Sequence, residues 1–170
     1  MTAHTVMGFY FLLKYLSPTA VGDGKSKDVV IIYSTQKGHL MGYTHYWRNV
    51  NTITEENIDV INRIINRYEA ESDKKIVNGL REKGTQPEVS TELIAFNGEE
   101  EQGCETLYIE PGKKGFNCCK TKYRKYDAVV CAVLLYLEQQ GVIEELDSDG
   151  DMAYSNEWLT AKALLNRALA

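Results

Sequence analysis

The 170-residue chain has no apolar run approaching the ~18–20 residues that a membrane-spanning helix needs, so no spanning segment is expected. No cation precedes Lys14, and Met7 to Leu13 is a short apolar run without a cleavage pattern, so no signal peptide is expected either. Cysteine is sparse. Cys104, Cys118, Cys119 and Cys131 form no C-x-x-C pair, which argues against a zinc ribbon or a disulfide framework and for reduced thiols in a cytoplasmic protein. There is no glycine-rich phosphate cradle, no nucleophile elbow and no local cysteine-protease signature. An overall positive charge is missing as well: the net charge of −5 disfavours a protein that coats nucleic acid. With no internal repeat and no long linker, residues 1–170 read as a single domain.

What is present fits an α+β domain. A chain of this length buries roughly two thirds of its unfolded surface, enough for a sizeable core. Met7 to Leu16 (MGFYFLLKYL) and Asp28 to Ser34 (DVVIIYS) read as strands, the second with a continuous β-branched run from Val29 to Ile32, with the turn-rich Ser17 to Lys27 between them. Gly38 to Val50 alternates as a third strand, with Gly42 as its bend. Thr54 caps a helix whose Ile58, Ile61, Ile64, Ile65 and Tyr68 draw one apolar stripe as far as Glu71. A shorter helix is expected from Asp73 to Lys83, closed by Gly84. Thr91 to Phe96 and Glu105 to Glu110 form a hairpin around a long polar tip.

Asp127 to Leu137 (DAVVCAVLLYL) is apolar on every side after its first residue, which predicts a buried helix ended by Gly141. Val142 to Leu146 suits a short strand and Asp147 to Asp151 a turn. Ser155 caps a last helix carrying Trp158, Leu159, Leu164, Leu165 and Leu169. The expected architecture is a mixed or antiparallel sheet of about five strands packed against the buried helix and its fellows.

Charge is unevenly spread. From Pro111 to Tyr126 there are six cations (Lys113, Lys114, Lys120, Lys122, Arg124, Lys125) and no acid. The segment leads into the N-terminus of the buried helix, where free N–H groups and the positive dipole end favour an anion. Thr121 adds a hydroxyl, and Tyr123 and Tyr126 add rings able to stack. The candidate ligand-binding set is therefore Phe116, Asn117, Lys120, Thr121, Arg124, Lys125 and Tyr126. Asp127 competes with an anion for the same helix end and is expected to cap it. A solvated loop is the plain alternative for the whole segment.

Two weaker constellations remain. Asp147-Ser148-Asp149-Gly150-Asp151 alternates acids like a calcium loop, but position 6 is Met152 and position 12 is Trp158, where an EF-hand needs Gly and Glu, so a turn is expected. His39 and His45 lie six apart and would face one side of a strand. No carboxylate or cysteine lies near them in sequence, so no metal set and no cofactor is expected. Eight aromatics up to Trp47, Tyr43 and Tyr46 among them, suit a core or a partner-facing sheet.

The string Phe116-Asn117-x-Cys-Lys-Thr, then Tyr126-Asp127 opening a helix with Ala132-Val133-Leu134, then Ser148-Asp149-Gly150-Asp151 and Trp158, resembles small phage and bacterial proteins that carry no settled activity. The likeness covers about residues 92–169, with Lys125 standing where those proteins would have proline. It implies a phage or mobile-element accessory protein and no particular reaction. The function expected is a non-enzymatic binding module that captures an anionic, phosphorylated small molecule or a host protein. The alternative is a small hydrolase or nuclease using His39 or His45 with Asp149 and Asp151.

Overall fold

The computed structural model describes residues 42–170, and they form seven strands and three helices. The α+β class expected from sequence is the one found. The strands proposed at Met7–Leu16 and Asp28–Ser34, together with His39, lie outside the described residues.

Strand β1 (Thr44–Val50) is the centre of a three-stranded antiparallel sheet, between β6 (Phe116–Lys120) and β7 (Ile143–Ser148). Its period of two places Tyr43, His45 and Trp47 inward as a buried series. Gly42, the expected bend, holds left-handed backbone (φ 98°) just ahead of the strand, and the irregularities of the pairing lie further along it. The β1–β7 register slips between Tyr46 and Arg48 and again between Arg48 and Val50. The extra residues, Glu145 on β7 and Asn49 on β1, both hold left-handed backbone (φ 51° and 42°), so two opposed bulges cancel and the pairing resumes at Val50–Ile143.

Helix α1 (Glu55–Glu71) starts as expected at Thr54. Its hydroxyl accepts the Asn57 N–H at 3.3 Å, while the Asn57 side chain accepts the Thr54 N–H at 2.9 Å. Ile58, Ile61, Ile64 and Ile65 are buried along one face. The second helix expected from Asp73 does not form. Ile76–Val77 is strand β2 instead, paired to Asn97 and Gly98, and Asn78 then turns the chain by accepting the N–H groups of Leu80 and Glu82. Two β-branched residues find a ladder there, and Asn78 offers the backbone a turn in place of helical bonds.

The hairpin is present. β4 (Ile94–Gly98) pairs with β5 (Leu107–Ile109) from Ile94–Ile109 to Phe96–Leu107, and a short β3 (Glu88–Val89) also pairs with β4. Helix α2 (Asp127–Gln139) and helix α3 (Asn156–Leu169) pack on each other and on α1. Leu134 is fully buried in α2. In α3 the buried stripe is Trp158, Ala161, Leu164, Leu165 and Ala168. Leu159 and Leu169 are about half exposed, because they fall outside that 3.6-residue stripe. Ser155 precedes α3 without the expected side-chain cap bond.

The acidic stretch is part strand and part turn, since β7 continues to Ser148. Gly150 is there because Tyr43 lies against it: a Cβ at that position would stand 2.5 Å from the Tyr43 hydroxyl oxygen and 2.7 Å from its ring. Tyr43 is fully buried and has little room to yield. Gly150→Ala is expected to destabilise the fold by about 1–3 kcal/mol through overpacking, read as a lower urea midpoint at unchanged slope. An unchanged midpoint would mean that the ring moves freely.

Candidate functional site

The cationic segment does not stay together as one loop. Phe116 to Lys120 is strand β6, whose alternation turns Asn117 and Cys119 inward and leaves Phe116 and Cys118 exposed. Of the expected binding set, Asn117, Thr121 and Tyr126 are buried and committed within the fold. Thr121 donates its N–H to the Tyr43 carbonyl at 2.8 Å, and the Tyr126 hydroxyl donates to the Glu105 carbonyl at 2.6 Å. Phe116 packs its exposed ring at a tilt against Tyr46. Lys125 lines a neighbouring cavity of about 400 Å³ with Asp73, Tyr123, Arg124, Asp127 and Glu157.

Lys120 and Arg124 do meet. With Lys122, and with Arg81 from the turn after β2, they line a cleft of about 360 Å³ floored by Gly103, Cys104 and Glu105. Four cations face one carboxylate there, a formal 4 − 1 = +3. No ion pair within 4 Å engages any of the four among the described residues. Glu105 is occupied in part, since its carboxylate accepts the Lys120 N–H at 2.8 Å.

The backbone holds these groups deliberately. Arg81 and Lys122 both adopt left-handed φ (65° and 53°), conformations that cost a non-glycine residue about 1–3 kcal/mol and persist only where the surroundings impose them. The surroundings are visible. The Arg81 carbonyl accepts the Glu100 N–H at 3.1 Å, and Lys122 donates its N–H to Tyr43 at 3.2 Å. Buried Asn97 accepts the Gly98 and Cys104 N–H groups and fixes the hairpin tip that forms the floor. A Cβ on Gly103 would collide with Asn97, the Gly98 carbonyl and the Arg81 side chain, so only glycine fits. Arg81 was not legible as a site residue, because the turn that delivers it was read as helix.

The expected anion site at the start of α2 is taken by Asp127, though not as a cap. Its carboxylate turns inward and meets His45 Nε2 at 2.8 Å, with both residues buried. Ser148 Oγ is 3.1 Å from His45 Nδ1, while Cys131 Sγ and Thr121 Oγ1 each lie 3.5 Å from Nε2. Tyr43 and Trp158 set their rings edge-on to the imidazole, at 5.0 and 5.4 Å. Sequence reading found no carboxylate or cysteine near His45, because Asp127 and Cys131 are 82 and 86 residues away. A signal was available all the same: one acid heading an otherwise apolar helix must find a partner inside, since an unpaired buried charge is costly.

Burial, and after it the Asp127 charge, push the Cys131 thiol well above its ordinary range, and burial does the same to Cys119. Neither is a ready nucleophile. The aspartates expected to work with histidine are employed elsewhere. Asp149 accepts the Thr44 N–H at 2.9 Å and the Tyr46 hydroxyl at 3.0 Å, and Asp151 accepts the Ala153 and Tyr154 N–H groups. Among the described residues, no helix is long and apolar enough to cross a membrane.

Comparison with known proteins adds no relative: no protein-family model matches the chain, and no curated protein and no solved structure does.

Proposed function

We propose that this chain is a non-enzymatic binding module whose basic cleft captures an anionic small molecule of the phosphorylated class. The observation that carries the reading is the convergence of Arg81, from the turn after β2, with Lys120, Lys122 and Arg124, from the end of β6 and the turn that follows it, on one cleft. Lysine and arginine supply charge-assisted hydrogen bonds to phosphate oxygens, and arginine adds a planar fork. A concave setting between two fixed turns concentrates that charge more than a flat solvated face would. The role of a phage or mobile-element accessory protein rests on the sequence resemblance, whose basic string ends in this cleft. The hydrolytic alternative has less support, since His45 is fully buried and its ring nitrogens face Asp127 and Ser148.

The test is a calorimetric titration of the full chain with inorganic pyrophosphate and with ADP, repeated on Lys120→Ala/Arg124→Ala. Each lost charge-assisted hydrogen bond costs roughly 1.5–3 kcal/mol, so each substitution should weaken binding by about 10- to 150-fold. The urea midpoint should hardly move, since Arg124 is exposed, Lys120 is only half-buried and neither makes an ion pair among the described residues. Added salt should weaken binding further. Equal affinity in the double variant, or no binding of either anion to the parent chain, would overturn the reading.

A further inference from the structure

The proposed ligand cleft leaves the buried cluster behind it without a role, and the cluster has the make-up of a metal site. We propose that His45, Asp127 and Cys131 bind one divalent transition-metal ion of the zinc class. The three donor atoms all lie within 4.8 Å of one another. They combine imidazole nitrogen, carboxylate oxygen and sulfur, a mixture suited to a borderline-soft ion such as zinc.

The spacing agrees. Bonds of about 2.0–2.1 Å to N or O and about 2.3 Å to S put tetrahedral ligand atoms about 3.3 Å (N to O) and 3.6 Å (N to S) apart. His45 Nε2 is already 3.5 Å from Cys131 Sγ, and its 2.8 Å contact with Asp127 needs to open by only about half an ångström to meet that geometry. Thr121 Oγ1, 3.5 Å from the same nitrogen, offers a neutral oxygen nearby.

The supports are rigid and the charges balance. Asp127 and Cys131 are four residues apart on one face of α2, and His45 projects inward from the central strand. Ser148 Oγ can accept a hydrogen bond from Nδ1–H, which would fix the tautomer that leaves the Nε2 lone pair facing the cluster, a common arrangement behind metal-binding histidines. A dication with one carboxylate and one thiolate sums to zero, the tolerable total for a dry interior. On entry the ion replaces the hydrogen bond between Nε2 and Asp127. The imidazole binds in its neutral Nδ1–H form; the proton held between Nε2 and Asp127 and the Cys131 thiol proton both leave to solvent as the nitrogen–metal and sulfur–metal bonds form. Asp127 also lines the 400 Å³ cavity, which supplies a way in. The rival arrangement is a plain His45–Asp127 pair, which gives sulfur no part to play.

The experiment uses the full chain with Cys104→Ser and Cys118→Ser, so that the thiols outside the core cannot compete, stripped with chelator and titrated with cobalt(II). One equivalent should produce a sulfur-to-cobalt charge-transfer band with the intense visible bands of a tetrahedral site. One equivalent of zinc should bleach them and raise the melting temperature by several degrees. Adding Cys131→Ser should abolish the charge-transfer band, and Asp127→Asn should weaken cobalt binding at least tenfold. Should either variant fail to fold, X-ray absorption of the zinc-loaded parent decides the matter, with one sulfur expected in the metal shell. No cobalt bands, a shell without sulfur, or a charge-transfer band that survives Cys131→Ser would each overturn the site. Anion binding at the basic cleft is measured in metal-free protein, so the two proposals fail separately.

Discussion

His45→Ala is expected to lower the stability of the chelator-treated protein by about 3–5 kcal/mol, the usual cost of leaving a buried carboxylate without its partner. The imidazole is fully buried, and its Nε2 meets the Asp127 carboxylate at 2.8 Å. Without it, the Asp127 carboxylate loses its nearest partner, and a ring-sized hole opens between Tyr43 and Trp158, which now pack edge-on against it. Charge and cavity can be separated. In His45→Ala/Asp127→Asn the second residue carries no charge, so the double variant should be more stable than the single one by at least about 1 kcal/mol. Urea unfolding followed by circular dichroism measures both. A single-variant cost below about 1 kcal/mol would show that the carboxylate is served by other groups.

Trp158→Ala is expected to cost about 3–5 kcal/mol as well, for a different reason. Trp158 is fully buried on α3 and belongs to the same core cluster as Val129, Cys131 and Ile61, where the three helices close over the sheet. Truncation there removes a large apolar surface and leaves a cavity that rigid neighbours fill only in part. Its indole N–H has no hydrogen-bond partner among the described residues, so Trp158→Phe gives up no such bond and should keep at least half of the lost stability. Equal losses for alanine and phenylalanine would show that the indole N–H, and not the ring's volume, is what the core depends on.

The sequence was most readable where a local rule acts alone. Thr54 followed by an isoleucine stripe made α1, and the all-apolar run from Ala128 to Leu137 made α2 the buried helix. The hairpin of β4 and β5 was legible for the same reason, as two strand-like runs around a polar tip. Local rules failed where another strand competed. Ile76–Val77 left the expected helix because Asn97 and Gly98 offered ladder bonds, and Phe116–Lys120 became a strand because its edge met β1 in register from Arg48–Phe116 to Thr44–Lys120.

The site followed the same division. The excess of cations between Pro111 and Tyr126 was plain in the sequence, and so was the candidacy of Lys120 and Arg124. Strand alternation sent Asn117 inward, and the turn after Lys120 buried Thr121 and Tyr126. Arg81 joined the cleft only because the β2 turn faces the hairpin tip. The meeting of His45, Asp127 and Cys131 lay beyond any local pattern. Composition and periodicity determined which segments bury their side chains. Only the packing of α2 against β1, which brings residues 82 and 86 positions apart within hydrogen-bond reach, decided which polar groups were buried together. The physical reason is that burial is a property of each segment, while the pairing of buried polar groups is a property of their contact in space.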